Sequence, residues 1–136
     1  ALDRIINFFP EERRAQLLMD LSLNLKGLVS QRLLPRQEGA GRIAAVEIMI
    51  NSPLISDLIF KGDVPEIKEI MKRSRELGMQ TFDQSLFELY ESHAVTFEDA
   101  LRNADSLNDL RLQIKLNSSR ARNTDLAAGT EHMSLV

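Results

Sequence analysis

The stretch LLPRQEGAGRIAAVEIMI, residues 33–50, decides the fold because it places two glycines between two apolar runs. The second run alternates around Glu47, with apolar side chains at the period of two that is typical of a β-strand. Gly39 and Gly41 stand between the runs, and glycines in that position are a usual hairpin signal. The stretch therefore predicts a short β-hairpin near residues 31–50.

The same two glycines also suggest a second interpretation, a loop whose backbone N–H groups bind the phosphates of a nucleotide. A P-loop requires Gly, four residues, then Gly-Lys-Ser/Thr, because the lysine and the hydroxyl contact phosphate and Mg²⁺. Here Gly41 is followed by Arg42 and Ile43, and Gly-Lys-Ser/Thr occurs nowhere in the chain. A dinucleotide fingerprint requires a helix after its glycines, whereas a strand pattern follows here. The glycines are therefore predicted to turn the chain.

Around the hairpin the apolar residues repeat at helical spacing. Pro10 and the acidic residues after it predict the start of a long amphipathic helix that runs to about Ser30. Five further helices are predicted after the hairpin, two of them ended by Gly62 and Gly78. Their predicted starts are Ser52, Asp63, Thr81, Thr96 and Ser106. The fold class predicted is mainly α with a short β-hairpin.

The helical pattern covers residues 1–116 and then stops. Residues 117–136 contain few large apolar side chains and no period, so they are predicted to form a flexible tail. Removing this tail is accordingly predicted to leave the thermal unfolding midpoint nearly unchanged. The chain begins ALDRIINFFP without an initiator Met, which suggests a fragment of a longer protein.

The amino-acid composition argues against several classes of function. The 136 residues carry a formal net charge of −3, which argues against broad attraction to nucleic acid or anionic lipid. The absence of cysteine excludes disulfides and thiolate metal sites. The sequence holds no apolar run long enough to predict a transmembrane helix, and no signal peptide is expected.

No set of residues in the sequence forms complete catalytic machinery. The two histidines, His93 and His132, are far apart, and neither has a second ligand at helical spacing. No serine stands in a Gly-x-Ser-x-Gly elbow. We therefore predict no catalytic, cofactor-binding or metal-binding residues in this chain, and a small stand-alone enzyme is disfavoured.

Three segments resemble one known family in order and spacing. They are ALDRIINFFPEERRAQLLMDLSLNLKGLVSQRLLPR at 1–36, GRIAAVEIMINSP at 41–53 and ELGMQTFDQSLFELYESHAVTFEDALRNA at 76–104. The corresponding family segments occur in the type IV pilus retraction ATPases, the PilT/PilU family of secretion-type motors. The resemblance covers about residues 2–105, and it favours the PilU branch.

The resemblance implies a position and a role. The chain would be the helical C-terminal region of a RecA-like α/β motor ATPase, with the Walker motifs upstream. ATP and Mg would be cofactors of the parent protein, with none bound by this chain. The family also implies a homo-hexameric, cytoplasmic motor, peripheral at the inner membrane. Its implied partners are a second retraction motor and the inner-membrane pilus platform protein, and nucleic acid is not one of them.

One departure from the family falls on residues 54–61. Retraction motors of this family carry A-I-R-N-L-I-R-E there, a motif linked to retraction. The aligned residues here are Leu54, Ile55, Ser56, Asp57, Leu58, Ile59, Phe60 and Lys61. Both arginines are replaced, by Ser56 and Phe60, so a role that needs guanidinium groups is not expected.

Two questions stay open at the level of sequence. The apolar residues of the 54–61 segment suit an interaction surface, but they equally suit the domain's own core. A stand-alone helical adaptor with no ATPase parent is the alternative to a motor segment. The sequence that precedes Ala1 would discriminate between the two.

Overall fold

The computed structural model describes residues 2–123. The helices and strands in this part are α1 Leu2–Phe8, α2 Glu11–Asn24, β1 Gly27–Pro35, β2 Arg42–Ile50, α3 Pro53–Lys61, α4 Val64–Lys72, α5 Phe82–Glu91, α6 Phe97–Arg102 and α7 Leu107–Asn117. A 3₁₀ helix, Arg75–Leu77, lies between α4 and α5. The predicted class, mainly α with a short β-hairpin, is confirmed. None of the helices in the described range has the length and apolar character needed to cross a bilayer.

The two strands form an antiparallel hairpin, as residues 33–50 predict. Gly39 and Gly41 adopt φ values of +81° and +100°, a region that side chains with a Cβ rarely occupy. The backbone N–H of Arg36 donates to the carbonyl of Gly41 at 3.2 Å and closes the connection. The prediction that these glycines turn the chain is confirmed, and the strand after them leaves no helix start for a phosphate.

Helix α2 is shorter than predicted, ending at Asn24 instead of near Ser30. The chain enters β1 at Gly27, where a Cβ would lie only 3.1 Å from the carbonyl oxygen of Met49. The Asn51 side chain donates to the Leu25 carbonyl at 2.7 Å, which fixes the junction in an extended form. The leucine spacing continues past this point, so helix periodicity alone did not reveal where strand pairing takes over.

Four of the five predicted helix starts agree with observed caps, and the fifth, Thr81, directly precedes α5. Side-chain oxygens of Ser52, Asp63, Thr96 and Ser106 each accept a hydrogen bond from the backbone N–H three residues later. Gly62 ends α3 with φ +70°, as predicted. Helix α4, however, stops at Lys72, and the 3₁₀ helix intervenes before Gly78.

The described chain divides into two compact units, each with its own apolar core. Unit 1 comprises residues 2–31 and Val46–Thr81, and its buried core is Leu2, Met49, Ile55, Leu58, Ile59, Ile67, Met71 and Met79. Unit 2 comprises Arg32–Ala45 and residues 82–123, and its buried core is Leu34, Ala45, Phe82, Leu86, Tyr90, Val95, Ala100, Leu101, Leu110 and Ile114. The sequence suggested a single region over residues 1–116, so this division is a difference from the prediction.

Residues 117–123 differ from the predicted tail. Ser118 is fully buried, and its hydroxyl donates to the Glu91 carboxylate. Ala121 packs against the core of unit 2, and Arg120 binds three groups in the same unit. We therefore expect removal of everything from residue 117 onward to destabilise unit 2, contrary to the sequence prediction. Residues 124–136, the rest of the predicted tail, lie outside the described residues.

Candidate functional site

Helix α3 carries the whole segment that departs from the family motif. Ile55, Leu58 and Ile59 lie on one side of it, as the spacing of three and four residues requires. Ile55 and Ile59 are fully buried, and all three residues belong to the core of unit 1. Of the two interpretations left open by the sequence, the structure assigns these three side chains to the domain's own core.

The opposite side of α3 faces solvent. Leu54 and Phe60 are each 53% exposed, which is high for large apolar side chains. Between them, Lys61 pairs with Asp57 one turn earlier, with Nζ and Oδ2 2.9 Å apart. The exposed side of α3 therefore combines two apolar side chains with one surface ion pair.

The ion pair shifts the titration of its lysine. The hydrogen bond to Asp57, and then the charge of Asp57, raise the pKa of Lys61 above its ordinary value of 10.5. A raised lysine pKa contributes stability that is present at neutral pH and is lost as pH rises through the folded-state pKa. Lys61 therefore carries its positive charge throughout the neutral range.

Helix α3 is held in place by hydrogen bonds to α2 and to the two residues that connect α2 with β1. The Ser56 hydroxyl donates to the carbonyl of Ser22 in α2, so the residue that replaces the first motif arginine is used in packing. Asn51, just before the helix, donates through its side chain to Leu25 and through its backbone to Lys26. These contacts fix the direction in which the exposed side of α3 points within unit 1.

Unit 1 also contains a buried carboxylate that the sequence did not single out. Glu47 on β2 is only 7% exposed, and it lines a cavity of about 20 Å³ together with Asp3 and Lys68. That volume suits about one water molecule and is far too small for a nucleotide. Within residues 2–123, no group of three or more potential metal ligands comes together.

Two arginines in unit 2 make contacts that could not be predicted from the sequence. The Arg32 guanidinium lies 4.1 Å from the centre of the Phe82 ring, and it donates to the Asn103 carbonyl and to Asp105. Arg120 similarly covers Tyr90, with 4.4 Å between guanidinium and ring centre. Both contacts join residues distant in sequence, so no local motif marks them.

No family model matches the chain. The type IV pilus ATPase PilU of Pseudomonas aeruginosa is 59% identical over 118 residues, which cover 87% of this chain and 31% of the relative. The type IV pilus retraction ATPase PilT of the same organism is 36% identical over 103 residues, covering 76% of this chain and 30% of the relative.

A solved structure gives the same result for the fold. The crystal structure of the pilus retraction motor PilT with bound ADP superposes with a TM-score of 0.66 and 32% identity. The match covers 81% of this chain and 30% of that one. The chain thus spans about a third of the length of the curated relatives that it matches.

The fold and these likenesses define the class of the protein as a segment of a pilus motor ATPase. More particularly, the chain belongs to the PilT/PilU family of type IV pilus retraction ATPases, and it is more similar to PilU than to PilT of P. aeruginosa. The resemblance inferred from the three sequence segments is confirmed.

Proposed function

We propose that this chain is the C-terminal segment of a pilus retraction motor subunit and that it couples ATP-driven motion to contacts with neighbours. ATP and Mg are bound outside this chain, by the preceding RecA-like domain. The whole subunit forms a hexameric ring in the cytoplasm, peripheral to the inner membrane. It acts there with a second retraction motor and with the pilus platform protein. The names and identities of the relatives support this assignment.

The observation that carries the coupling role is the two-sided character of α3. One side is fixed in the core of unit 1, whereas Leu54 and Phe60 stay exposed on the other. Burying a leucine or phenylalanine side chain contributes about 1.5–3 kcal/mol, so a contact here would be energetically significant. Because its buried side is anchored in the core, α3 can transmit to unit 1 a force that a partner applies to Leu54 and Phe60.

The test is made in the complete motor subunit with Leu54→Ala and Phe60→Ala. We expect each variant to retain ATP hydrolysis while twitching motility falls severalfold, because the exposed side chains contribute to contacts and not to chemistry. Leu112→Ala is the matched control, since Leu112 is similarly exposed, at 55%, but lies on α7 in unit 2. Normal motility in both α3 variants would exclude this surface from the coupling role.

The alternative of a stand-alone adaptor predicts a different result. An adaptor would act without any ATPase in the same polypeptide, so the sequence that precedes Ala1 in its gene would contain no P-loop. The 59% identity with a pilus ATPase over most of the chain favours the motor segment.

A further inference from the structure

Unit 2 contains a groove of about 430 Å³ that the proposed motor function does not use. The groove has an apolar floor of Tyr90, Phe97 and Ile114, and its rim carries Glu98, Arg111 and Lys115. Sites for small molecules are typically 300–1,000 Å³, mostly apolar, with a few convergent polar groups. In size and lining, the groove resembles such a site.

Tyr90 is the residue that distinguishes this groove from an ordinary surface depression. It is only 5% exposed, its ring meets Phe97 edge-on with 6.0 Å between centres, and Arg120 covers it at 4.4 Å. Its hydroxyl is not fully buried, and within residues 2–123 no side chain or backbone group hydrogen-bonds it. The ring is therefore held firmly while its hydroxyl remains available at the groove.

The charges at the rim favour an anion. Arg111 and Lys115 lie four residues apart on α7, which places them on the same side of the helix. Both are exposed, and neither forms an ion pair with any other residue of the described range. Glu98 supplies one opposing charge, so the rim carries a net charge of about +1.

We propose that this groove binds a small amphipathic anion, a molecule with a flat apolar body, one acidic group and a second polar atom. The body packs on Phe97, and the acidic group binds Arg111 and Lys115. The second polar atom hydrogen-bonds the Tyr90 hydroxyl. This proposal is independent of the motor function, because it concerns unit 2 alone.

The test uses the full 136-residue chain, labelled with ¹⁵N and titrated with 6-hydroxy-2-naphthoate. This probe has an aromatic body, a carboxylate at one end and a hydroxyl at the other. We expect saturable shifts centred on Tyr90, Phe97 and Ile114. Because one hydrogen bond is lost, Tyr90→Phe should weaken binding roughly three- to tenfold. Tyr90→Phe keeps the ring and removes only a hydroxyl without a described partner, so the fold should be unaffected.

A control ligand and control variants distinguish binding in this groove from non-specific adsorption to the chain. The analogue 2-naphthoate lacks the hydroxyl, so it should bind the unmodified chain and the Tyr90→Phe variant with equal affinity. The pair Arg111→Gln and Lys115→Gln should weaken both probes about tenfold, whereas Arg42→Gln, an exposed charge outside the groove, should change neither. Equal binding of 6-hydroxy-2-naphthoate before and after Tyr90→Phe would overturn the proposal, as would shifts confined to other residues.

Discussion

Two arginines, Arg120 and Arg122, stand two residues apart in the sequence and look alike there, but the structure gives them different roles. Arg120 donates to the carbonyls of Tyr90 and Val95 at 2.8 and 3.0 Å and to the Gln37 side chain at 2.7 Å. The side chain of Arg122 is exposed. We expect Arg120→Ala to lower the free energy of unfolding by about 2 kcal/mol, because charged hydrogen bonds and a cation–π contact are lost.

The measurement is urea unfolding followed by tyrosine fluorescence. Tyr90 is the single tyrosine of a chain without tryptophan, so the signal reports on unit 2. Arg122→Ala is the control, and its effect should stay within about 0.5 kcal/mol. Equal midpoints for the two variants would mean that the Arg120 contacts contribute nothing to stability.

At the scale of single residues, contacts between neighbours in the sequence could be predicted, and contacts between distant residues could not. The caps at Ser52 and Thr96 follow from a side chain and a backbone N–H three residues away, so the sequence contains both partners of the bond. Glu47 is buried against the general preference of carboxylates for solvent, and only the packing of unit 1 explains it. Arg120 likewise acquires its role from groups as far away as Gln37.

At the scale of elements, α3 offers a direct comparison between adjacent side chains. Ile59 is fully buried in the core of unit 1, and Phe60 is 53% exposed. We expect Ile59→Ala to cost about 2–5 kcal/mol of unfolding free energy, because it removes core volume. Phe60→Ala should cost less than about 0.5 kcal/mol. Thermal and urea unfolding of the isolated chain measure both, and a large loss for Phe60→Ala would show that its ring supports the fold.

Helices and strands could be predicted where the sequence shows a single period, and could not be delimited where helical and strand periods overlap. The hairpin was predictable because its glycines interrupt two runs of strand character, and both adopt positive φ. The end of α2 was not predictable, because Leu25 and Leu28 continue the helical spacing into β1. Around α3, the spacing of Ile55, Leu58 and Ile59 predicted one apolar side but not whether it faced a core or a partner.

At the scale of the whole molecule, the division into two units had no sequence signal. The chain passes between them three times: inside β1 after Gln31, inside β2 before Val46, and between Thr81 and Phe82, where α5 begins. The first two crossings lie within strands, so no linker or change of composition marks them. Family resemblance, by contrast, identified the family correctly, because matches in order over most of the chain are specific. The 54–61 segment was singled out only by that alignment, since periodicity alone does not distinguish a core helix from a contact helix.

The last prediction concerns what this chain does alone. The sequence contains no Gly-Lys-Ser/Thr, and residues 2–123 bring no group of three potential metal ligands together, so we expect this chain by itself to bind neither ATP nor Mg²⁺ tightly. Isothermal calorimetry of the isolated chain with ATP and Mg should therefore show no binding at micromolar nucleotide. The complete subunit should bind under the same conditions. Micromolar binding by the isolated chain would place a nucleotide site within these 136 residues and contradict the assignment of ATP chemistry to the rest of the motor.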